Sequence, residues 1–209
     1  GQVFVRGGTP SENLVLVDGI PIYQPFHILG FFSVFPEDLV SGADFYAGGF
    51  GARYSGRTSS VLGVALRDGN PNAPRAGGTV SPFLAEVTAE GPVKEGISWL
   101  ASVRRSLVEE TSGALMGATQ PLTFDSQLLK VTAASGEDLR CSAFGLRTSD
   151  RGRLDPVETE SYVGWKNHVL GARCVNQFTQ QFLRLLEVNF GFSTVENDAV
   201  SHGSSNFTS

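Results

Sequence analysis

Three stretches of the chain alternate apolar and polar residues with a period of two. Ile97, Trp99, Ala101 and Val103 alternate with Ser98, Leu100, Ser102 and Arg104. Phe83, Ala85, Val87 and Ala89 interleave with Leu84, Glu86, Thr88 and Glu90, and Gly91-Pro92 after them predicts a short hairpin turn. Leu186, Val188, Phe190 and Phe192 alternate with Glu187, Asn189, Gly191 and Ser193. Each pattern predicts a strand whose two faces meet different surroundings. Weaker strand signals cover residues 122–134, 138–148 and 161–177. In the first of these, Asp125 and Gln127 share a face while Lys130 falls out of phase, which calls for a bulge or another register. A strand between lipid and an aqueous lumen and a half-buried strand of a soluble β-sandwich both read this way, so periodicity alone does not separate them.

The first third is written differently. An Arg-Gly turn at Arg6 and Gly7 precedes an apolar strand that closes on Asp18-Gly19. The segment QPFHILGFFSVFPEDL follows over residues 24–39, and a further strand then enters the Gly/Tyr/Arg-rich loop GGFGARYSGRTSS. A second apolar strand, residues 60–66, leaves that loop. NPNAPRAGG, residues 70–78, reads as a linker of turn or extended backbone. In this order the pieces resemble the plug domain of TonB-dependent outer-membrane receptors. The segment 24–39 looks most like the plugs of large receptors in the Bacteroidetes-like branch of the family.

The resemblance implies a mainly β fold. The C-terminal part of an α+β plug (residues 1–69) and a linker (70–78) would precede the first antiparallel strands of a transmembrane β-barrel (79–209). About six strand candidates after the plug compare with about 22 in a family barrel, so an internal fragment is expected, with signal peptide, TonB box and most of the barrel outside it. The implied function is energised uptake of a scarce nutrient of the siderophore, cobalamin, glycan or peptide class across the outer membrane of a Gram-negative bacterium. The implied partners are a TonB-type energy-coupling protein, the substrate and outer-membrane lipid, with a surface lipoprotein left open. Tyr23, Gln24 and His27 are the candidate substrate contacts at the plug apex. Arg6, Arg53 and Arg57 are the candidate plug-to-barrel anchors. Two further readings stand beside this one, an outer-membrane binding or assembly scaffold without transport and a secreted β-sandwich adhesin.

Charge and chemistry narrow the field. A net charge of -5 with scattered arginines argues against a nucleic-acid module. No run of about 18 apolar residues exists, which excludes a transmembrane helix but not a β-barrel segment. Cys141 and Cys174 lack the spacing of a metal site and read equally as two free thiols or as a disulfide in an oxidising compartment. His27, His168 and His202 are isolated, with no second ligand at three or four residues' spacing. Within PFHILGFF a packed or hydrogen-bonded imidazole is the favoured reading of His27. Ser11, His27 and Asp18 supply the residue types of a triad without a nucleophile elbow. The Gly-rich loop lacks the Gly-Lys-Ser/Thr ending of a phosphate loop and leads into a strand. No enzyme, metal or cofactor is expected. Asp18-Gly19 fits a turn in which the aspartate accepts from backbone N–H groups, a structural role.

Overall fold

At Asp18 and Gly19 the backbone takes positive φ twice, 44° and 85°, the requirement of a two-residue hairpin turn that matches strand twist. The turn joins β1 (Asn13–Val17) to β2 (Ile20–Ile22), with Val17 opposite Ile20. The computed structural model describes residues 12–27, 30, 32–48, 59–136, 138–153, 162–178 and 184–200. After β2 the chain makes a 3-10 turn, Glu37–Leu39, and then β3 (Val40–Tyr46) and β4 (Ser60–Leu66). These strands form a small mixed sheet ordered β2-β1-β4-β3, with β1 and β4 parallel and the other neighbours antiparallel. Successive residues Val15, Leu16 and Val17 are all buried, as expected of a strand covered on both faces. β3 is the exposed edge.

The rest of the chain is a seven-stranded antiparallel meander in sequence order. Its strands are β5 (Arg75–Val80), β6 (Leu84–Lys94), β7 (Ile97–Ser106), β8 (Leu122–Ser135), β9 (Leu139–Arg153), β10 (Tyr162–Gln177) and β11 (Leu185–Val200). Helix α1 (Val108–Met116) lies between β7 and β8 and ends on Gly117 in the left-handed region. The protein is mainly β, and among the described residues the large sheet does not close into a barrel.

The expected strands are found, and the three weaker signals become β8, β9 and β10. Three details differ from expectation. The hairpin between β6 and β7 turns at Glu95-Gly96, with Gly96 at φ 74°, and not at Gly91-Pro92. β6 runs through Gly91-Pro92, and the register shifts just after, between Pro92 and Lys94. A bulge is where a strand accommodates a residue that cannot donate. Lys130 needs no bulge, because β8 pairs with both neighbours in one continuous register. It shares the inward face with Phe124, Ser126, Leu128 and Thr132, while Asp125 and Gln127 point the other way. β5 also begins within the segment expected to be linker.

The two faces of the large sheet have unusual assignments. On β7 the mostly polar set Ser98, Leu100, Ser102 and Arg104 is buried, and the apolar set Ile97, Trp99, Ala101 and Val103 faces out. Val87, Val103, Leu129, Leu170, Val188, Phe190 and Phe192 lie outward with exposures from 53% at Leu129 to 76% at Phe190. A β-sandwich in water places its apolar face inward. Here the inward face packs on the small sheet. Val15, Val17, Ile20, Ile22, Val34, Phe35, Leu39, Val64 and Leu66 meet Leu100, Leu128, Phe144, Leu146 and Val169 in one continuous core. Cys141 and Cys174 are directly opposite on β9 and β10 and form a disulfide, a pairing the sequence left open.

Two glycines set how closely the sheets approach. Ile20 lies on the backbone of β10 and β11, and a Cβ added at Gly191 would overlap the Ile20 side chain, as one at Gly171 would overlap Ile20 and Phe144. Gly191→Ala is therefore expected to destabilise the protein by about 1–3 kcal/mol through overpacking. Combined with Ile20→Ala, the loss should fall short of the sum of the single losses by at least about 0.5 kcal/mol. Thermal unfolding of the three variants checks this, and strict additivity would mean that the two sites do not touch.

Candidate functional site: the seam between the sheets

The connections of the large sheet define two ends. At one end are the tight turns at Glu95-Gly96 and between β8 and β9, and at the other is the long β7–β8 connection with α1. The small sheet is bonded to the inward face at both.

At the tight-turn end the Asp18-Gly19 turn points the aspartate at the large sheet. Its Oδ1 accepts from the Leu66 amide at 2.9 Å and its Oδ2 from Lys130 Nζ at 2.8 Å. Lys130 also donates to the Leu66 carbonyl at 2.8 Å and lies 3.3 Å from Asp68 Oδ1. Asp68 accepts from Thr132 Oγ1 at 2.8 Å and pairs with Arg140. The side chains of Lys130 and Asp18 are only 5% and 4% exposed. An ion pair out of water persists only when the remaining donors and acceptors are also satisfied, and here the ammonium has three oxygen partners. Nearby, Arg67 donates to the Asp38 carbonyl at 2.7 Å and to Glu90, whose Oε2 also accepts from the Asn70 amide. Arg67, Asp68, Asn70, Arg75, Glu90 and Arg140 line a polar cavity of about 560 Å³.

At the long-connection end the chain after β2 folds back on itself, with Phe26 bridged to Ser33 and Val34 donating to the Pro25 carbonyl. Three wall strands hold this loop. Arg104 on β7 donates through Nη1 to the Ser33 carbonyl at 3.0 Å, and its Nε and Nη2 grip Glu86 Oε2 at 3.0 and 2.8 Å. Asp150 on β9 meets His27 Nδ1 at 3.0 and 3.1 Å from its two oxygens. Asn167 on β10 donates to the Gln24 carbonyl at 3.1 Å and to Thr148 Oγ1 at 2.9 Å. The His27 ring stacks on Phe124 at 4.2 Å, and Phe32 tilts against the same ring at 5.4 Å. Val108 of α1, with Leu122 and Phe124, closes this apolar cluster. His27 Nε2, Ser126 Oγ and Asn167 Oδ1 are buried and find no partner among the described residues. Each such neutral group costs about 1–3 kcal/mol, so this end of the seam is held less completely than the other.

Of the sequence candidates, Tyr23 is half-exposed, Gln24 is partly exposed and engages the wall through its carbonyl, and His27 is fully buried against Asp150 and Phe124. Arg6, Arg53 and Arg57 lie outside the described residues. Lys130, Asp150, Asn167, Arg104 and Asp68 escaped sequence reasoning. Lys130, Arg104 and Asn167 carried one usable signal, polar groups on a strand face that is otherwise part of the core. Among the described residues, no group of three or more His, Cys, Asp and Glu is placed to hold a metal ion. No helix among them is long and apolar enough to cross a membrane, which says nothing of a β-barrel.

No family model matches the sequence, and no curated protein matches it. Solved structures do resemble it. A mutant of the ferric enterobactin receptor PfeA from Pseudomonas aeruginosa superposes with a TM-score of 0.63 at 10% identity, covering 95% of this chain and 35% of that one. The siderophore receptor PirA from Pseudomonas aeruginosa gives a TM-score of 0.48 at 16% identity, covering 95% of this chain and 43% of that one. The first likeness shows the fold. This chain spans about a third of that receptor's length, 35%.

The two ends of the seam should respond differently to substitution. Lys130→Met leaves Asp18 buried without its cation and is expected to cost about 3–5 kcal/mol. His27→Phe keeps the stack on Phe124 and leaves Asp150 without the imidazole, at about 1–3 kcal/mol. Limited proteolysis and thermal unfolding of the protein measure both, and an equal loss at the two positions would contradict the difference in bonding.

Proposed function

We propose that this chain is part of a TonB-dependent outer-membrane receptor. The residues up to 69 form the plug, the strands from β5 onward begin the barrel wall, and the longer protein imports a scarce nutrient into a Gram-negative periplasm. One observation carries the reading, namely that the large sheet turns its apolar rows outward and its polar rows toward a separate small sheet held by ion pairs. That is the arrangement of a wall between lipid and a filled lumen. Unpaired strand edges are not tolerated in lipid, so β5 and β11 would be continued by further strands. The fold shared with the ferric enterobactin receptor supports the same reading.

Tight turns face the periplasm and long connections the exterior in such barrels. The loop holding Gln24 and His27 then sits at the outer end of the seam, where a nutrient arrives, and Asp18 and Lys130 sit at the end nearer the energy-coupling partner. Tyr23, Gln24 and His27 are assigned to the apex that senses the ligand, with exposed Tyr23 the first contact and His27 a relay to Asp150. Arg6, Arg53 and Arg57 are assigned to further anchoring of plug to wall. The mechanism is a population shift in which ligand and partner together favour an opened seam over the closed one. The partner is a TonB-type protein. The substrate belongs to the siderophore, cobalamin, glycan or peptide class.

The full-length protein, expressed with its own leader, is expected in the outer-membrane fraction with heat-modifiable migration. Growth on its nutrient should be lost when the TonB system is removed. A soluble product would sink the receptor reading, and an outer-membrane protein that supports growth without TonB would leave a scaffold in its place.

A further inference from the structure

The Cys141–Cys174 disulfide takes no part in the seam. Cys141 shares the outward face of β9 with Ala143 and Gly145, and Cys174 shares that of β10 with Ala172 and Leu170. The two residues stand directly opposite each other, with Cα atoms 4.1 Å apart. At their level the row across the wall, from β7 to β11, is Ile97, Ala133, Cys141, Cys174 and Val188. The next row toward the long-connection end is Trp99, Val131, Ala143, Ala172 and Phe190. The next toward the tight turns carries Leu139 and Leu186 on either side of Asn176. None of these residues is charged. Cys174 is exposed and Cys141 partly exposed on this apolar face.

The bond is specific to one register. Its neighbours on the same face give little side-chain pairing, Ala143 opposite Ala172 and Gly145 opposite Leu170, and strands of that kind specify their register weakly. A slip of one residue between β9 and β10 would put the two sulfurs on opposite faces of the sheet. A slip of two would set their Cα atoms about 7–8 Å apart, beyond the reach of a disulfide. The bond therefore forms only after β9 and β10 have paired as they do in the finished sheet.

We propose that this disulfide is made on the paired β9–β10 hairpin before the wall enters the membrane, by exchange with the disulfide of a periplasmic thiol oxidase, and that acyl chains then close it off from reductants. The inference rests on the receptor reading, which supplies the periplasm and the lipid. The thiolate of one cysteine attacks the oxidase disulfide, forming a mixed disulfide and releasing one thiolate of the oxidase. The thiolate of the other cysteine attacks its partner's sulfur in that mixed disulfide. The Cys141–Cys174 bond forms and the second oxidase thiolate leaves. The cysteine pair loses two electrons, the oxidase is reduced to a dithiol, and the two cysteine protons end on its sulfurs. Both attacks need a thiolate and a partner protein within bonding distance. Neither is available among acyl chains, where an isolated charge is strongly disfavoured and a folded, water-soluble oxidase does not enter. Strand pairing, oxidation and insertion follow in that order.

Outer membranes holding the full-length protein, expressed with its own leader, are treated with the charged phosphine TCEP. A polyethylene-glycol maleimide added after denaturation then counts free thiols by gel shift, with the double variant Cys141→Ala/Cys174→Ala giving the count without this pair. Wild type in intact membranes should gain no label over that variant, and it should gain label on both cysteines when heat-denatured before the reductant is added. Protein held in the periplasm by depletion of the outer-membrane assembly machinery should already carry the bond, and in cells without the thiol oxidase it should keep both thiols. Reduction in intact membranes, a reduced precursor beside an oxidised assembled protein, or an oxidised precursor without the oxidase each overturns the proposal. In Cys141→Ser the Cys174 thiol should resist a charged maleimide in intact membranes and react once the protein is denatured; reaction in the membrane overturns the lipid cover. A heat-modifiable outer-membrane protein whose disulfide is freely reduced defeats this inference alone, whereas a soluble wild-type protein defeats the receptor reading with it.

Discussion

The buried ammonium of Lys130 fixes where the small sheet can sit. A lysine on the inward face of a strand must find oxygens or be excluded from the core, and the oxygens within its reach are Asp18, Asp68 and the Leu66 carbonyl. All three belong to the segment of chain that makes or leaves the small sheet. The aspartate can reach because its own backbone has turned into the left-handed region, which the adjoining Gly19 completes. Turn, strand and ion pair therefore depend on one another. Moving the small sheet by two residues along β8, to the next inward position, would bring Leu128 or Thr132 in place of Lys130 to face two carboxylates.

The other end of the seam is built on different chemistry. Arg104 and Asn167 hold main-chain carbonyls, of Ser33 and Gln24, so the wall grips the backbone of the loop there more than its side chains. His27 is the exception, since its ring takes part in both the Asp150 bond and the Phe124 stack. A seam that is saturated with charge at one end and retains unpartnered buried atoms at the other will open first where bonding is incomplete. Under the receptor reading, the looser end is the one a nutrient reaches.

Secondary structure was legible because a strand's period of two is a local property. β6, β7 and β11 could be read from alternation alone, and the small sheet from its Asp18-Gly19 turn and short apolar runs. The Gly91-Pro92 turn misled because the same dipeptide marks a turn and a strand irregularity, and only the partner strand tells them apart. The apparent misphasing of Lys130 arose from expecting charge to face away from a core. What could not be read was partnership. Lys130 and Asp18 are 112 residues apart and His27 and Asp150 are 123 apart, and nothing within a strand announces which loop will arrive against it. The same applies to Cys141 and Cys174, which become neighbours only through the register of β9 with β10.

A mean hydropathy of -0.02 resembles that of many water-soluble domains, and the fold shows why this average is uninformative. Each wall strand is a sum of two faces that answer to different partners. On β7 the apolar face holds Trp99 and Val103 outward, while the face sealed from solvent holds Ser98, Ser102 and Arg104. Polar residues are tolerated on that inner face because the segment that carries the small sheet brings oxygens to meet them, as the Ser33 carbonyl does for Arg104, while Glu86 of the neighbouring β6 supplies the carboxylate. Without the small sheet those groups would line an open trough, and the outward apolar rows would be the only surface the strands could bury. The small sheet is thus part of what decides which way the wall faces.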